Sequence, residues 1–188
     1  MTSRTNKTQL RRVLLQQRQS MTQKDWREKS DRIGVHLQSS LLFLQAKTIF
    51  AYFSFRYEPD LSPLFADNKY NWAFPRCVGD SLIWHLWKPG DPTVVGAYGI
   101  VEPHPNATSI TITNADLILV PAVACDAQGY RLGYGGGYYD RLLGSFAAAS
   151  KPTIGITFEF AFLQQLPVDA WDKPLNSICT ETGLKVTI

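Results

Sequence analysis

The feature that most constrains this chain is the run Asp116-Leu-Ile-Leu-Val-Pro-Ala-Val-Ala124, which is apolar almost without interruption. A strand with one wet face alternates apolar and polar residues. A run with no such alternation needs cover on both faces, as a strand inside a parallel sheet has. The residues after it fit a parallel unit: a glycine-rich stretch, a helical segment predicted over residues 138–148, and a second short β-rich run, residues 153–157. Strand, crossover helix and parallel strand form the βαβ unit, so the predicted class is α/β.

The rest of the chain extends this pattern. Residues 7–19 are predicted helical, with Leu10, Val13, Leu14 and Gln17 at helical spacing. Thr22 followed three residues later by Asp25 reads as a capping box that starts a second helix, running to about residue 40. Trp26, Ile33, Leu37 and Leu41 would form its stripe. Residues 48–54, 71–74 and 81–87 are predicted strands, the last two joined as a hairpin through Gly79 and Asp80. Ser62-Pro63 marks a short helix start. Residues 89–105 are rich in proline and glycine, and residues 177–188 form one or two terminal strands. The expected architecture is a single three-layer α/β/α domain over residues 1–188, with a mostly parallel central sheet and an N-terminal helical pair.

Composition excludes several classes. Of 188 residues, 45% are hydrophobic and 19% charged, which suits a globular core rather than a disordered chain. Cys77, Cys125 and Cys179 include no CxxC pair, so they read as reduced thiols and not as a zinc or dithiol site. His36, His85 and His104 are scattered without ligand spacing. The polar, basic start is unlike a secretory signal and no apolar run reaches membrane-spanning length, so no membrane partner and a cytoplasmic location are expected. Net charge is +3, with cations concentrated between Arg4 and Arg32. On charge alone, a solvated helix face, an anionic small substrate and nucleic acid all fit. Only Trp26 accompanies those cations as a stacking surface, so no nucleic-acid partner is expected.

Chemistry concentrates in the run Arg131-Leu-Gly-Tyr-Gly-Gly-Gly-Tyr-Tyr-Asp140. Gly133, Gly135, Gly136 and Gly137 let backbone N–H groups approach a phosphate closely, and the following helix start favours an anion. Arg131 can pair with phosphate oxygens, and Asp140 stands where a carboxylate can hold Mg²⁺. The run is neither a Walker A loop nor a dinucleotide GxGxxG in register. Lys7 and Arg11 share one helix face and supply a second cationic arm. Glu58 and Asp60 follow a strand, where a carboxylate can bind the donor nitrogens of a ring, with Phe53, Phe55 or Tyr57 to stack on it. An ordinary acidic turn fits them equally well. Asp172, in a polar loop, is a second candidate metal ligand, and Trp171 is expected to pack.

The stretch Leu119-Val-Pro-Ala-Val-Ala-Cys-Asp-Ala-Gln-Gly-Tyr-Arg-Leu-Gly-Tyr-Gly-Gly-Gly-Tyr-Tyr-Asp-Arg141 resembles the signature of the 5-formyltetrahydrofolate cyclo-ligase family. Supporting matches are Lys7-Thr-Gln-Leu-Arg11, the Phe-Ser…Glu segment at 53–58, Gly99-Ile-Val-Glu-Pro103 and Leu166-Pro-Val-Asp-Ala-Trp-Asp172. The resemblance implies an ATP- and Mg²⁺-dependent closure of 5-formyltetrahydrofolate to 5,10-methenyltetrahydrofolate, by a monomer or weak homodimer. It implies ATP contacts from Lys7, Thr8, Gln9, Leu10 and Arg11 and from Arg131, Leu132, Gly133, Tyr134, Gly135, Gly136, Gly137, Tyr138 and Tyr139. Folate contacts would come from Phe53, Glu58 and residues 134–138, metal ligation from Asp140 and Asp172, and catalytic action from Arg131, Tyr138 and Asp140. Two positions depart from the family pattern: Leu61 replaces a threonine, and Gly136 stands where some relatives carry lysine.

Overall fold

A computed structural model describes residues 3–187, with side chains from residue 6 onward. Four α-helices occur among these residues: α1 (Ser3–Gln19), α2 (Gln23–Gln38), α3 (Leu41–Gln45) and α4 (Tyr138–Gly144). The strands are β1 (Thr48–Phe50), β2 (Asn71–Val78), β3 (Ser81–Leu86), β4 (Thr93–Val95), β5 (Val101–Pro103), β6 (Ser109–Ile110), β7 (Leu117–Pro121), β8 (Ala124–Asp126), β9 (Arg131–Leu132), β10 (Thr153–Ile156), β11 (Phe162–Leu163), β12 (Ser177–Thr180) and β13 (Gly183–Val186).

The main sheet has the order β13-β12-β10-β7-β1-β2-β3-β6. Its inner strands β12, β10, β7, β1 and β2 are parallel, and β13, β3 and β6 complete the edges antiparallel. From β1 the chain moves outward to β2 and β3. It then returns to the other side of β1 and continues through β7, β10 and β12. The strand order therefore reverses between β1 and β7. Such a switch point opens a crevice beyond the carboxyl ends of the two strands.

Side chains alternate across the sheet. Ile49, Leu117, Leu119 and Ile154 face a core completed by Ile33 and Leu37 of α2 and Phe43 of α3. Phe50, Ile118 and Val120 face the opposite core, which includes Leu143 of α4. The layers expected from the apolar run are thus present, with helices on both faces. The two N-terminal helices follow one another but bury their stripes separately. α2 lies on the main sheet, whereas Leu14 of α1 packs on a small sheet of order β11-β8-β9.

Several boundaries differ from the sequence expectation. The run at residues 116–124 is two strands: β7 ends at Pro121 and β8 starts at Ala124 in the small sheet. A proline offers the ladder no N–H, and the chain turns away there, with Val123 N–H donating to Leu132 C=O. α2 stops at Gln38, because Ser40 caps α3 through Phe43 N–H, which leaves Leu41 exposed rather than on the α2 stripe. α4 ends at Gly144 and not near residue 148, at a Gly-Ser pair of low helix propensity. β1 ends at Phe50, although Ala51 N–H still donates to Ala73 C=O of β2, and residues 52–54 continue as non-strand chain. The expected N-cap is present: Thr22 Oγ1 accepts from Asp25 N–H and donates to Asp25 Oδ2. Among the described residues, no helix is long and apolar enough to cross a membrane.

Candidate active site

The crevice beyond β1 and β7 is bordered by two loops. Residues 53–60 follow β1, and residues 133–137 follow β9 and lead into α4. α1 lies over both. Its buried face is Lys7, Leu14 and Arg18, with Arg11 half-buried on the same stripe. Val13 and Gln17, expected in the core, are exposed. The inversion has a physical reason: this face of α1 meets carboxylates, carbonyls and a hydroxyl as well as the small sheet's core, so the long cations Lys7, Arg11 and Arg18, spaced four and seven apart, are satisfied there.

On the glycine side, Arg131 is buried, and its Nη2 donates to Asp140 Oδ1 at 2.6 Å. The pair spans the turn, joining the strand before it to the first turn of the helix after it. The Arg131 guanidinium also lies 5.3 Å from the Tyr139 ring centroid. Arg131 Nε and the Tyr139 hydroxyl are buried with no hydrogen-bond partner among the described residues. Orphaned polar atoms of this kind mark a place where a polar ligand completes the structure. Gly135 and Gly137 take φ of +104° and +72°, so the turn requires glycine at both. Arg11 Nε donates to Gly133 C=O at 2.7 Å. Burial lowers the Arg11 pKa, opposed by the charges of both Asp140 and Asp172, so both carboxylates act on one guanidinium. Lys7 Nζ bridges Asp169 at 2.7 Å and Asp172 at 2.5 Å. Burial alone would lower the Lys7 pKa, but the two hydrogen-bonded carboxylates leave it raised. Thr8 and Gln9 are exposed on α1, while Leu10 and Leu132 pack into the small-sheet core.

On the β1 side, Glu58 is buried and its carboxyl is pushed up to about 7, chiefly by burial, against the opposing pull of Arg18, the Phe55 N–H and the Tyr134 hydroxyl. Phe55 N–H donates to Oε2 at 3.1 Å. Tyr134 accepts a hydrogen bond from Arg18, and its ring lies 6.2 Å from that of Phe55. Arg18 Nε donates to Arg56 C=O at 3.1 Å. Arg56 and Tyr57 adopt left-handed backbone conformations, φ +47° and +59°, which are costly for such residues and recur at ligand sites. Phe53 stacks on Phe74 at 4.2 Å, with Trp87 edge-on.

The structure therefore brings Lys7, Arg11, Arg131, Asp140 and Asp172 to one end of the crevice and Glu58 and Tyr134 to the other. Tyr138 turns outward, donating to Gly79 C=O. Asp60 is absorbed by structure: it pairs with Arg27 at 2.5 Å and accepts from Ser62 N–H. Leu61 fills the core where the family pattern has threonine. Trp171, expected to pack, is exposed. Arg18 is the main residue that sequence reasoning passed over. The signal was present, since Lys7, Arg11, Leu14 and Arg18 lie on one helical stripe.

The 5-formyltetrahydrofolate cyclo-ligase family matches residues 3–181. The chain belongs to that family. Among curated relatives, the 5-formyltetrahydrofolate cyclo-ligase of Mycolicibacterium smegmatis is 32% identical over 186 residues, covering 93% of this chain and 93% of that protein. The Haemophilus influenzae enzyme of the same name is 29% identical over 179 residues, covering 92% and 94%. The structure titled 5,10-methenyltetrahydrofolate synthetase from Aquifex aeolicus superposes with a TM-score of 0.85 at 32% identity, covering 96% of this chain and 92% of that one. A Mycoplasma pneumoniae structure at 23% identity, TM-score 0.75, shares the fold. The chain is thus an enzyme of the cyclo-ligase family.

Proposed function

We propose that this enzyme uses ATP to close 5-formyltetrahydrofolate to 5,10-methenyltetrahydrofolate, releasing ADP and phosphate. The observation that carries the reading is Tyr134. It lies within the glycine turn, yet its hydroxyl accepts from Arg18, which also holds the Arg56 carbonyl, and its ring lies 6.2 Å from that of Phe55, so one short segment adjoins both the proposed phosphate-binding turn and the loop that carries Glu58.

In this reading the Glu58 carboxylate accepts hydrogen bonds from the donor nitrogens of the pterin ring. Tyr134 and Arg18 hold that carboxylate in place. Backbone N–H groups of the glycine turn, with Arg131, Arg11 and Lys7, bind the triphosphate. The formyl oxygen attacks the γ-phosphorus in line and ADP leaves. The formyl carbon now carries a phosphate in place of a poor leaving oxygen. N10 attacks that carbon and gives up its proton, phosphate departs with the former formyl oxygen and can carry that proton, and the new ring closes. Little covalent work falls to the protein, and positioning and charge neutralisation dominate, as in phosphoryl transfer generally.

Asp140 and Asp172 are the residues that would hold Mg²⁺. Their chemistry fits it: they are two carboxylates whose charges both reach Arg11, so they stand at the same end of the crevice. Mg²⁺ is usually bound by one or two carboxylates together with substrate phosphates, whose charge it neutralises.

The test is the appearance of the methenyl chromophore when purified enzyme meets 5-formyltetrahydrofolate and Mg-ATP, with one ADP formed per ring closed. ATP binding without chromophore would overturn the reading in favour of a nucleotide-binding protein on this fold.

A further inference from the structure

An open cavity of about 480 Å³ lies beside the crevice, lined by Arg12, Leu15, Gln16, Gln19, Ser20 and Arg56. It is bounded on one side by α1 and on the other by the loop that carries Glu58. Its two cations are exposed, and among the described residues no carboxylate pairs with either. No acidic side chain lines it. The other cations around the crevice are engaged: Lys7 with Asp169 and Asp172, Arg131 with Asp140, Arg11 with Gly133 C=O, and Arg18 with Arg56 C=O and Tyr134.

Arg56 is also held in place. Its carbonyl is fixed by Arg18, its backbone is left-handed, and its guanidinium lies 4.9 Å from the Phe55 ring centroid. Both guanidiniums line the one cavity, so a single bound anion can meet both. Arg56 stands two residues before Glu58, so its cavity adjoins the ring end of the crevice rather than the phosphate end.

We infer that Arg12 and Arg56 form a carboxylate clamp for the glutamate tail of the folate substrate. This rests on the function proposed above. The ring is anchored at Glu58, and a folate carries its two carboxylates at the end farthest from the ring. Arg12 and Arg56 meet them at the protein surface, where guanidinium–carboxylate pairing is bidentate and directional. Gln16 and Gln19 supply further donors along α1.

The experiment compares 5-formyltetrahydrofolate with its tail-less analogue, 5-formyltetrahydropteroate, in the wild type, Arg12→Ala, Arg56→Ala and the double variant, all with Mg-ATP. For the tail-bearing substrate, KM should rise about ten- to hundredfold with kcat held, the loss expected for charge-assisted bonds. For the tail-less analogue, the variants and the wild type should give the same kcat/KM. Arg56→Lys should recover part of the loss, whereas a merely structural role would affect both substrates alike. An unchanged ratio of kcat/KM between the two substrates overturns the clamp, as does a rise in KM for ATP in its place. Failure of the wild type to turn over either substrate overturns the proposed function, and the clamp with it.

Discussion

Lys7 and Asp172, 165 positions apart in the chain, meet at 2.5 Å. The contact, doubled by Asp169, ties the first helix to the loop after β11 and sets both against the glycine turn through Arg11. Removing the ammonium leaves two carboxylates facing each other beside the proposed triphosphate site. Lys7→Met should therefore weaken ATP binding by about tenfold or more, with folate binding in the absence of ATP much less affected. Titration calorimetry with each ligand separately checks this. Equal loss of both ligands would contradict the division of the crevice.

Glu58 makes stability and activity depend on pH in opposite directions. Its folded-state pKa of about 7 lies above the ordinary 4.5, so the native protein binds the proton more tightly than the unfolded chain does. The stabilising contribution is complete below 4.5 and is lost as pH rises through about 7. The groups facing the carboxyl are Arg18, Tyr134, Tyr52 and Tyr139. Glu58→Gln, neutral throughout, should gain in Tm relative to the wild type between pH 5 and pH 8, by up to the equivalent of about 3 kcal/mol. The ionised carboxylate is the form that accepts the ring donors. Wild-type kcat/KM for the folate should rise through about pH 7, a limb that Glu58→Gln lacks, while the variant's KM for ATP stays near wild type.

A methyl group at Gly133 would lie 2.7 Å from Arg131 Nη1. Arg131 is buried and has little room to yield, so Gly133→Ala should turn its guanidinium away from Asp140. Loss of a preorganised charge-assisted pair predicts about a tenfold or greater fall in ATP affinity with a change in Tm of only a few degrees. Arg131→Lys should fare no better, because an ammonium cannot reproduce the planar fork. Competition with a fluorescent nucleotide measures both.

The three thiols should separate cleanly. Burial pushes Cys125 and Cys179 up to about 12, whereas Cys77 is only partly buried. A thiolate-seeking reagent should modify Cys77 in the native protein and all three in denaturant. Rapid modification of Cys125 under native conditions would show that the core below β8 opens.

Features set by local chemistry were legible in the sequence. The doubly covered strand, the N-cap at Thr22 and the turn at Gly79 followed from period, cap and turn rules. The glycine turn was legible as a tight turn because φ above zero, as at Gly135 and Gly137, leaves few alternatives to glycine. Features set by tertiary context were not. Pro121 reads as an interruption in an apolar run, but only the small sheet explains where the chain goes next. Arg18 reads as one more surface cation. Its burial depends on a tyrosine 116 positions away, which no local pattern can supply. Asp60 and Glu58 look alike in sequence, and Arg27 of α2 decides which of them is spent on structure.

The contacts of α1 also bear on how the enzyme is made. Arg11 finds its partner at residue 133 and Lys7 finds its own at residues 169 and 172. During synthesis the helix emerges long before either partner, carrying a cationic stripe with nothing to receive it. Much of the main sheet can pair before that stripe is answered, so the nucleotide end of the crevice is among the last parts to form. On the proposed reading, a chain that has emerged only as far as β10 would hold the Glu58 loop and the glycine turn but no partner for Lys7, and full ATP affinity would appear only once residue 172 has emerged.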